Sequence, residues 1–162
     1  MELTQARVRE LFDYREDGAL IWRVYRSSNA RPGDVAGYMK SHGYLYVSIN
    51  EKRFIVHRVV FLWHHGYLPP DVDHINGVRS DNRIENLREA SRSQNLHNSK
   101  KSSRNTSGYK GVSWCDRRQK WRANICTNYK QRSLGYFDTA ELAAAAYAEA
   151  AAKDHGSFAR IA

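Results

Sequence analysis

Leu3, Val8, Leu11 and Phe12 fall near one face of a helical repeat before Asp13–Gly18 interrupts it, which predicts a short N-terminal helix. The period then changes. Ala19–Tyr25, Val35–Met39, Tyr44–Ile49 and Phe54–Val56 are aromatic and β-branched, and turn-forming Arg31-Pro32-Gly33, Ser41-His42-Gly43 and Asn50-Glu51-Lys52 separate them. Short antiparallel strands are predicted there. His57–His65 has helical composition and is closed by Gly66 and Pro69-Pro70.

From Val72 turns dominate. Asp73–Gly77 reads as a strand entering an Asn-Gly turn, Asp81–Leu87 as one capped helical turn, and Leu87–Ala90 as a returning strand. Ser91 or Ser93 then caps a helix through Asn95 and His97. Ser99–Ser107 has the Ser/Thr-rich, basic composition of a linker. Three more strands follow, at Tyr109–Trp114, Trp121–Thr127 and Gln131–Tyr136, and an alanine-rich helix capped around Asp138–Glu141 runs to about Asp154. The expected class is α+β: a domain over 1–98 that starts β-rich, a linker over 99–107, and a unit over 108–162 in which a three-stranded antiparallel sheet packs on one helix.

Composition narrows the function. Apolar runs such as Val59–Trp63 are far below the roughly 20 residues of a membrane-spanning helix. Met1–Gln5 has neither the basic nor the apolar part of an export signal. A non-secreted, cytoplasmic protein is expected, with no membrane partner and no implied protein partner. Cys115 and Cys126 are the only cysteines, which excludes a disulfide scaffold and a CxxC-type zinc site. The formal charge is +9, yet residues 91–132 carry eleven Lys and Arg against Asp116 alone. Positive charge gathered into one stretch points to a polyanion, DNA or RNA.

Asp73-His74, Asn86 and Asn95 are the candidate chemistry. A carboxylate from Asp73 and an amide oxygen from Asn95 suit a hard divalent cation, Mg²⁺ with Mn²⁺ as the alternative, and a neutral His74 can take a proton from water. The same residue types also serve as turn and helix caps.

Pro69–Gly77, Asp81–Arg88 and Ser93-Gln94-Asn95 closely resemble the HNH endonucleases of phage and intron homing type, over about residues 54–98. The resemblance implies a ββα-metal finger over about 68–98 and metal-dependent hydrolysis of DNA phosphodiesters. It assigns His74 as general base, Asn86 as the residue that holds the loop and orients the base, and Asp73 and Asn95 as metal ligands. Asn95 departs from the histidine commoner at its position. By the same resemblance His57 is a packing or hydrogen-bonding residue at a strand-helix junction.

Ser107–Trp114, Lys120–Ile125, Leu134–Thr139 and Ala143–Tyr147 resemble the DNA-binding domain of plant ethylene-response factors, over about 108–160. That resemblance implies a sheet that enters the major groove of double-stranded DNA with the helix behind it. Strand alternation agrees, putting Lys120, Arg122 and Asn124 opposite Trp121, Ala123 and Ile125. Arg and Asn can read guanine and adenine edges. The candidate DNA contacts are Arg92, Lys100, Lys101, Arg104, Lys110, Arg117, Arg118, Lys120, Arg122, Asn124 and Arg132. Ser113 and Ser133 replace the Arg and Trp usual in the plant domains, so their target sequence does not carry over. The expected activity is a site-recognising, homing-type endonuclease; the alternatives are a non-cleaving DNA-binding regulator with a degenerate finger, and a structured-RNA binder or nuclease.

Overall fold

Thr4 starts the first element, its hydroxyl accepting the Arg7 N–H at 3.3 Å at the head of α1 (Gln5–Leu11). The computed structural model describes residues 3–99, 101, 102 and 104–161. Immediately after α1 comes a strand that the sequence reading did not anticipate, β1 (Phe12–Tyr14), pairing antiparallel with β2 (Leu20–Trp22). Long-range packing fixes it: Phe12 stands opposite Trp22 with ring centroids 4.4 Å apart, and neither local propensity nor the polar Asp13 announces this.

The predicted strand over 35–39 is split at Gly37 into β3 (Val35–Ala36), which completes the first sheet in the order β1-β2-β3, and β4 (Tyr38–Met39). The latter opens a second sheet, β4-β5-β6, with β5 (Leu45–Ile49) and β6 (Lys52–Ile55). On β5, Val47 and Ile49 are buried while Ser48 is exposed, the alternation of a sheet with one covered face. β6 runs directly into α2 (Val56–His65), which buries Val56, Val59, Val60, Phe61 and Leu62 in a core shared with Val8, Leu11, Phe12, Leu20 and Trp22. Val72 and Leu87 join that core from a two-stranded ladder, β7 (Asp71–His74) with β8 (Leu87–Ala90). A 3₁₀ turn over Ile84–Asn86 feeds β8.

The remaining elements are α3 (Arg92–His97), β9 (Val112–Cys115), β10 (Lys120–Thr127), β11 (Lys130–Phe137) and α4 (Ala140–His155). The chain divides into two compact units, Met1–Ser91 and Arg92–Ala162, so α3 goes with the second. Its sheet is antiparallel in the order β11-β10-β9. Ala123 and Ile125 of β10 are buried with Ala143, Tyr147 and Ala151 of α4, and the small alanines let helix and sheet approach closely. Thr139 caps α4 by accepting the Leu142 N–H at 3.3 Å. The fold is α+β, and among the described residues no helix is long and apolar enough to cross a membrane.

β9 starts at Val112 rather than Tyr109 because Tyr109–Gly111 forms a turn, with Gly111 at φ +75°. A Cβ at Gly111 falls 2.2 Å from the Tyr147 ring and 2.7 Å from the Asn124 carbonyl oxygen. Gly111→Ala is therefore expected to destabilise the second unit by about 2–4 kcal/mol, combining backbone strain with overpacking, as a lowered denaturation midpoint. An unchanged midpoint would show that Tyr147 moves aside freely.

Candidate active site and nucleic-acid interface

The loop between β7 and β8 is built around one buried amide. Asn86 Nδ2 donates to Asp81 O at 2.8 Å and Asn76 Oδ1 at 3.1 Å, and its Oδ1 accepts the Asn76 N–H at 3.0 Å. Its backbone carbonyl takes the Ile75 N–H at 2.9 Å, and the Gly77 N–H closes the turn on His74 O at 2.8 Å. Asp81 is gripped by Arg83 Nε and an Arg83 terminal nitrogen, both at 2.8 Å, and by Asn76 Nδ2 at 2.7 Å. These donors hold its carboxyl well below the usual carboxylate range, Arg83 contributing most.

His74 ends β7 at only 4% exposure, and its Nε2 lies 3.0 Å from Asn82 Oδ1. With the amide oxygen as acceptor, Nε2 carries the hydrogen of the neutral ring and Nδ1 is the basic nitrogen. Burial lowers the His74 pKa, against opposing contributions from Asn82, Asp73 and Asp81, so the ring is neutral near pH 7. Its neighbours are aromatic: the His57 ring meets it edge-on at 4.7 Å, and Tyr44 packs 5.4 Å from His57 and 6.0 Å from His74. His57 is the second residue of α2, and its buried Nδ1 finds no hydrogen-bond partner among the described residues. Burial pushes its pKa down to about 3, with the proximity of His74 and Arg58 adding to the shift. Arg58 anchors α2 to the entry of β7 by donating to Pro69 O and Pro70 O, each at 3.2 Å.

Asp73 lies opposite Arg88 in the ladder, and its Oδ2 accepts Arg88 Nε at 2.9 Å within an ion pair. Among the described residues, no three of His, Cys, Asp and Glu gather into a group that could hold a metal. The Asp73 carboxylate, which Arg88 already engages, is an oxygen donor of the kind that suits a hard cation that keeps its waters and takes phosphate oxygens from a substrate. Asn95, the other residue that the sequence assigns to the metal, lies on α3 in the second unit.

Asn82 and Tyr44 make contacts that sequence reasoning left without a role. Asn82 sits in a turn-rich stretch where Asn ordinarily caps, and only its 2% exposure marks it as a core polar group. Its place is set from afar: Gly18, at φ +89°, leaves room for the backbone of Asn82 and Arg83, which a Cβ would meet at 2.5 and 2.4 Å. Tyr14 Oη, on β1, accepts the Ile84 N–H at 3.0 Å.

In the second unit, Lys120, Arg122 and Asn124 alternate with buried Ala123 and Ile125. Exchanging the oxygen and nitrogen of the Asn124 amide lets the oxygen accept from Arg122 Nε at 3.0 Å. Lys120 pairs with Asp138 at 3.0 Å, Arg132 pairs with Asp154, and the Arg118 guanidinium lies 4.4 Å from the Tyr136 ring centroid. Lys110 points inward along the chain: its ammonium donates to His97 O at 2.6 Å and Ser99 O at 2.7 Å at the end of α3, and burial pushes its pKa down to about 8. Lys101 Nζ donates to Gly108 O at 2.7 Å. Arg92 opens α3, Arg117 lies in the β9–β10 turn, and exposed Arg104 follows Ser102, whose hydroxyl accepts its N–H. Lys100 lies outside the described residues. Trp114 stacks edge-on against Trp121 at 5.2 Å and is still 41% exposed.

Residues 54–97 match the HNH endonuclease family, and residues 107–156 match the AP2 domain family. Protein 3.8 of Escherichia phage T7 is 37% identical over 90 residues, which span 56% of this chain and 74% of that protein. No solved structure matches the chain.

Burial of His57 makes stability depend on pH. The unfolded ring titrates near 6.5 and the folded one near 3, so the unfolded state binds the proton first. The contribution is complete above pH 6.5 and falls by about 1.4 kcal/mol per pH unit as the pH drops towards 3. Urea midpoints should fall between about pH 7 and about pH 5, and His57→Leu should flatten that fall. The same slope in the variant would place the titrating group elsewhere.

Proposed function

This chain belongs to the protein family that includes Protein 3.8 of Escherichia phage T7, and on that premise we propose that it is a metal-dependent endonuclease that recognises and cuts double-stranded DNA. The elements β7, β8 and α3 follow in the chain order of a ββα-metal finger. One observation carries the reading: a neutral, buried His74 whose Nε2 is committed to Asn82, leaving Nδ1 as the base. In this reading Nδ1 takes the proton of a water as its oxygen bonds to phosphorus and the opposite P–O ester bond breaks. Asn86 fixes the loop on which Asn82 rides, so the imidazole keeps its orientation through the reaction. Asp73 would hold Mg²⁺ or Mn²⁺, which when bound supplies Lewis acidity to the phosphate and leaving oxygen. Arg88 orients the Asp73 carboxylate through their ion pair. The AP2 sheet supplies duplex recognition through Arg122, Asn124 and Lys120 on the face away from α4.

The pairing of Asp73 with Arg88 also favours a second reading, a DNA-binding protein whose finger no longer cuts, because a guanidinium competes with a cation for the carboxylate. Mapping the ends left on a mixed plasmid library with Mg²⁺, and again with chelator, separates the two. The nuclease reading expects metal-dependent ends.

His74→Ala is expected to lower cleavage by about 10²–10⁴-fold while duplex affinity holds. Equal loss of binding would remove the general-base role. Asn82→Ala is expected to lower kcat by about 10–100-fold with KM unchanged, because the ring loses its orienting acceptor. A rise in KM alone would make Asn82 a contact for DNA instead.

A further inference from the structure

β5 presents different chemistry on its two faces. Val47 and Ile49 point to the core with Leu45 packed against it, whereas half-buried Tyr46, and Tyr44 just before the strand, alternate to the opposite face. Tyr46 stands directly opposite Tyr38 of β4, ring centroids 6.5 Å apart. His42 bridges the row, 5.6 Å from Tyr46 and 5.5 Å from Tyr44, and Tyr44 leads on to His74 at 6.0 Å. Tyr38 is 42% exposed and Met39 54%.

Cations sit on these rings. Lys40 Nζ lies 5.6 Å from the Tyr46 centroid and 6.0 Å from that of Tyr38. The Arg79 guanidinium lies 4.9 Å from the Tyr44 centroid, and a terminal nitrogen of it donates to His42 O at 2.8 Å, which fixes its position. A row of rings, exposed at Tyr38 and half-buried at Tyr46 and Tyr44, with ammonium and guanidinium groups beside it is complementary to a strand that offers phosphates and base faces together. A B-form duplex hides its base faces in the stack and gives such a row only phosphates. An unpaired strand gives both.

We propose that the outer face of β4 and β5 is a stacking ledge for unpaired nucleotides, with Tyr38 and Tyr46 receiving bases and Lys40 and Arg79 meeting the adjoining phosphates. Resting on the nuclease reading, the ledge holds a locally opened strand so that the next phosphate reaches His74. It gives the molecule a preference that the AP2 sheet does not provide: melted, bubbled or frayed DNA over an intact helix.

The test uses the full-length protein in chelator, with fluorescence anisotropy on labelled oligothymidine and on a blunt duplex of the same length. A loss of about 1–3 kcal/mol per stacked base is roughly 5–150-fold. Tyr38→Ala/Tyr46→Ala should lose about tenfold or more in affinity for oligothymidine and less than about twofold for duplex, whereas Tyr38→Phe/Tyr46→Phe keeps wild-type binding of both. Tyr38→Ala alone, at an exposed position, repeats the selective loss at about fivefold and guards against misfolding of the double variant. Equal losses on both ligands, or none, overturn the ledge. Tyrosine-dependent oligothymidine binding by a protein that cuts no DNA with Mg²⁺ or Mn²⁺ would keep the ledge and remove the nuclease reading. Cleavage together with unaltered oligothymidine binding in the variants would remove the ledge alone.

Discussion

The amide of Asn86 is the interaction on which the first unit's site depends. Each of its polar atoms has a partner in the loop it closes, Asn76 on one side and Asp81 on the other. At 6% exposure those partners are obligatory, since a buried amide left unpaired costs about 1–3 kcal/mol. The loop therefore has one low-energy path. Asn82 sits inside that path, and the orientation of His74 follows from it.

Two electrostatic regimes divide the labour. Around His74 the imidazoles are buried, neutral and enclosed by aromatic rings, and the two nearby carboxylates are each held by an arginine, Asp73 by Arg88 and Asp81 by Arg83. In the second unit charge stays at the surface, where a polyanion can reach it, and much of it is already steered. Asp138 holds Lys120, Asp154 holds Arg132, and Tyr136 underlies Arg118. Such pairs are weak enough in water to open when a phosphate competes. Lys110 differs because its ammonium is turned inward to peptide carbonyls at the end of α3.

Much of this was legible in the chain. The strands of the second unit and its alanine-rich helix follow from alternation and capping residues, and the observed α4, Ala140–His155, ends one residue past the expected limit. The β7–β8 pair and the loop residues were marked by Asn-Gly and by the Asp-His dipeptide. What escaped is what sequence distance hides. β1 exists because Phe12 meets Trp22, the strand over 35–39 divides because its halves pair with different partners, and Asn82 looks like any turn asparagine until its burial is known. Residue type alone also left Lys110 as a phosphate contact, since nothing local records that its ammonium meets two backbone carbonyls.

The grip of the N-terminal hairpin on the catalytic loop has a kinetic side. Gly18 touches the backbone of Asn82 and Arg83, and Tyr14 bonds Ile84 across 70 positions of sequence. Contacts so distant along the chain form only after large loop-closure entropy has been spent, and they slow folding accordingly. On a ribosome the hairpin emerges early and waits, partnerless, until the loop it braces has been made. The loop beside His74 is thus among the last parts of its unit to gain its full set of contacts.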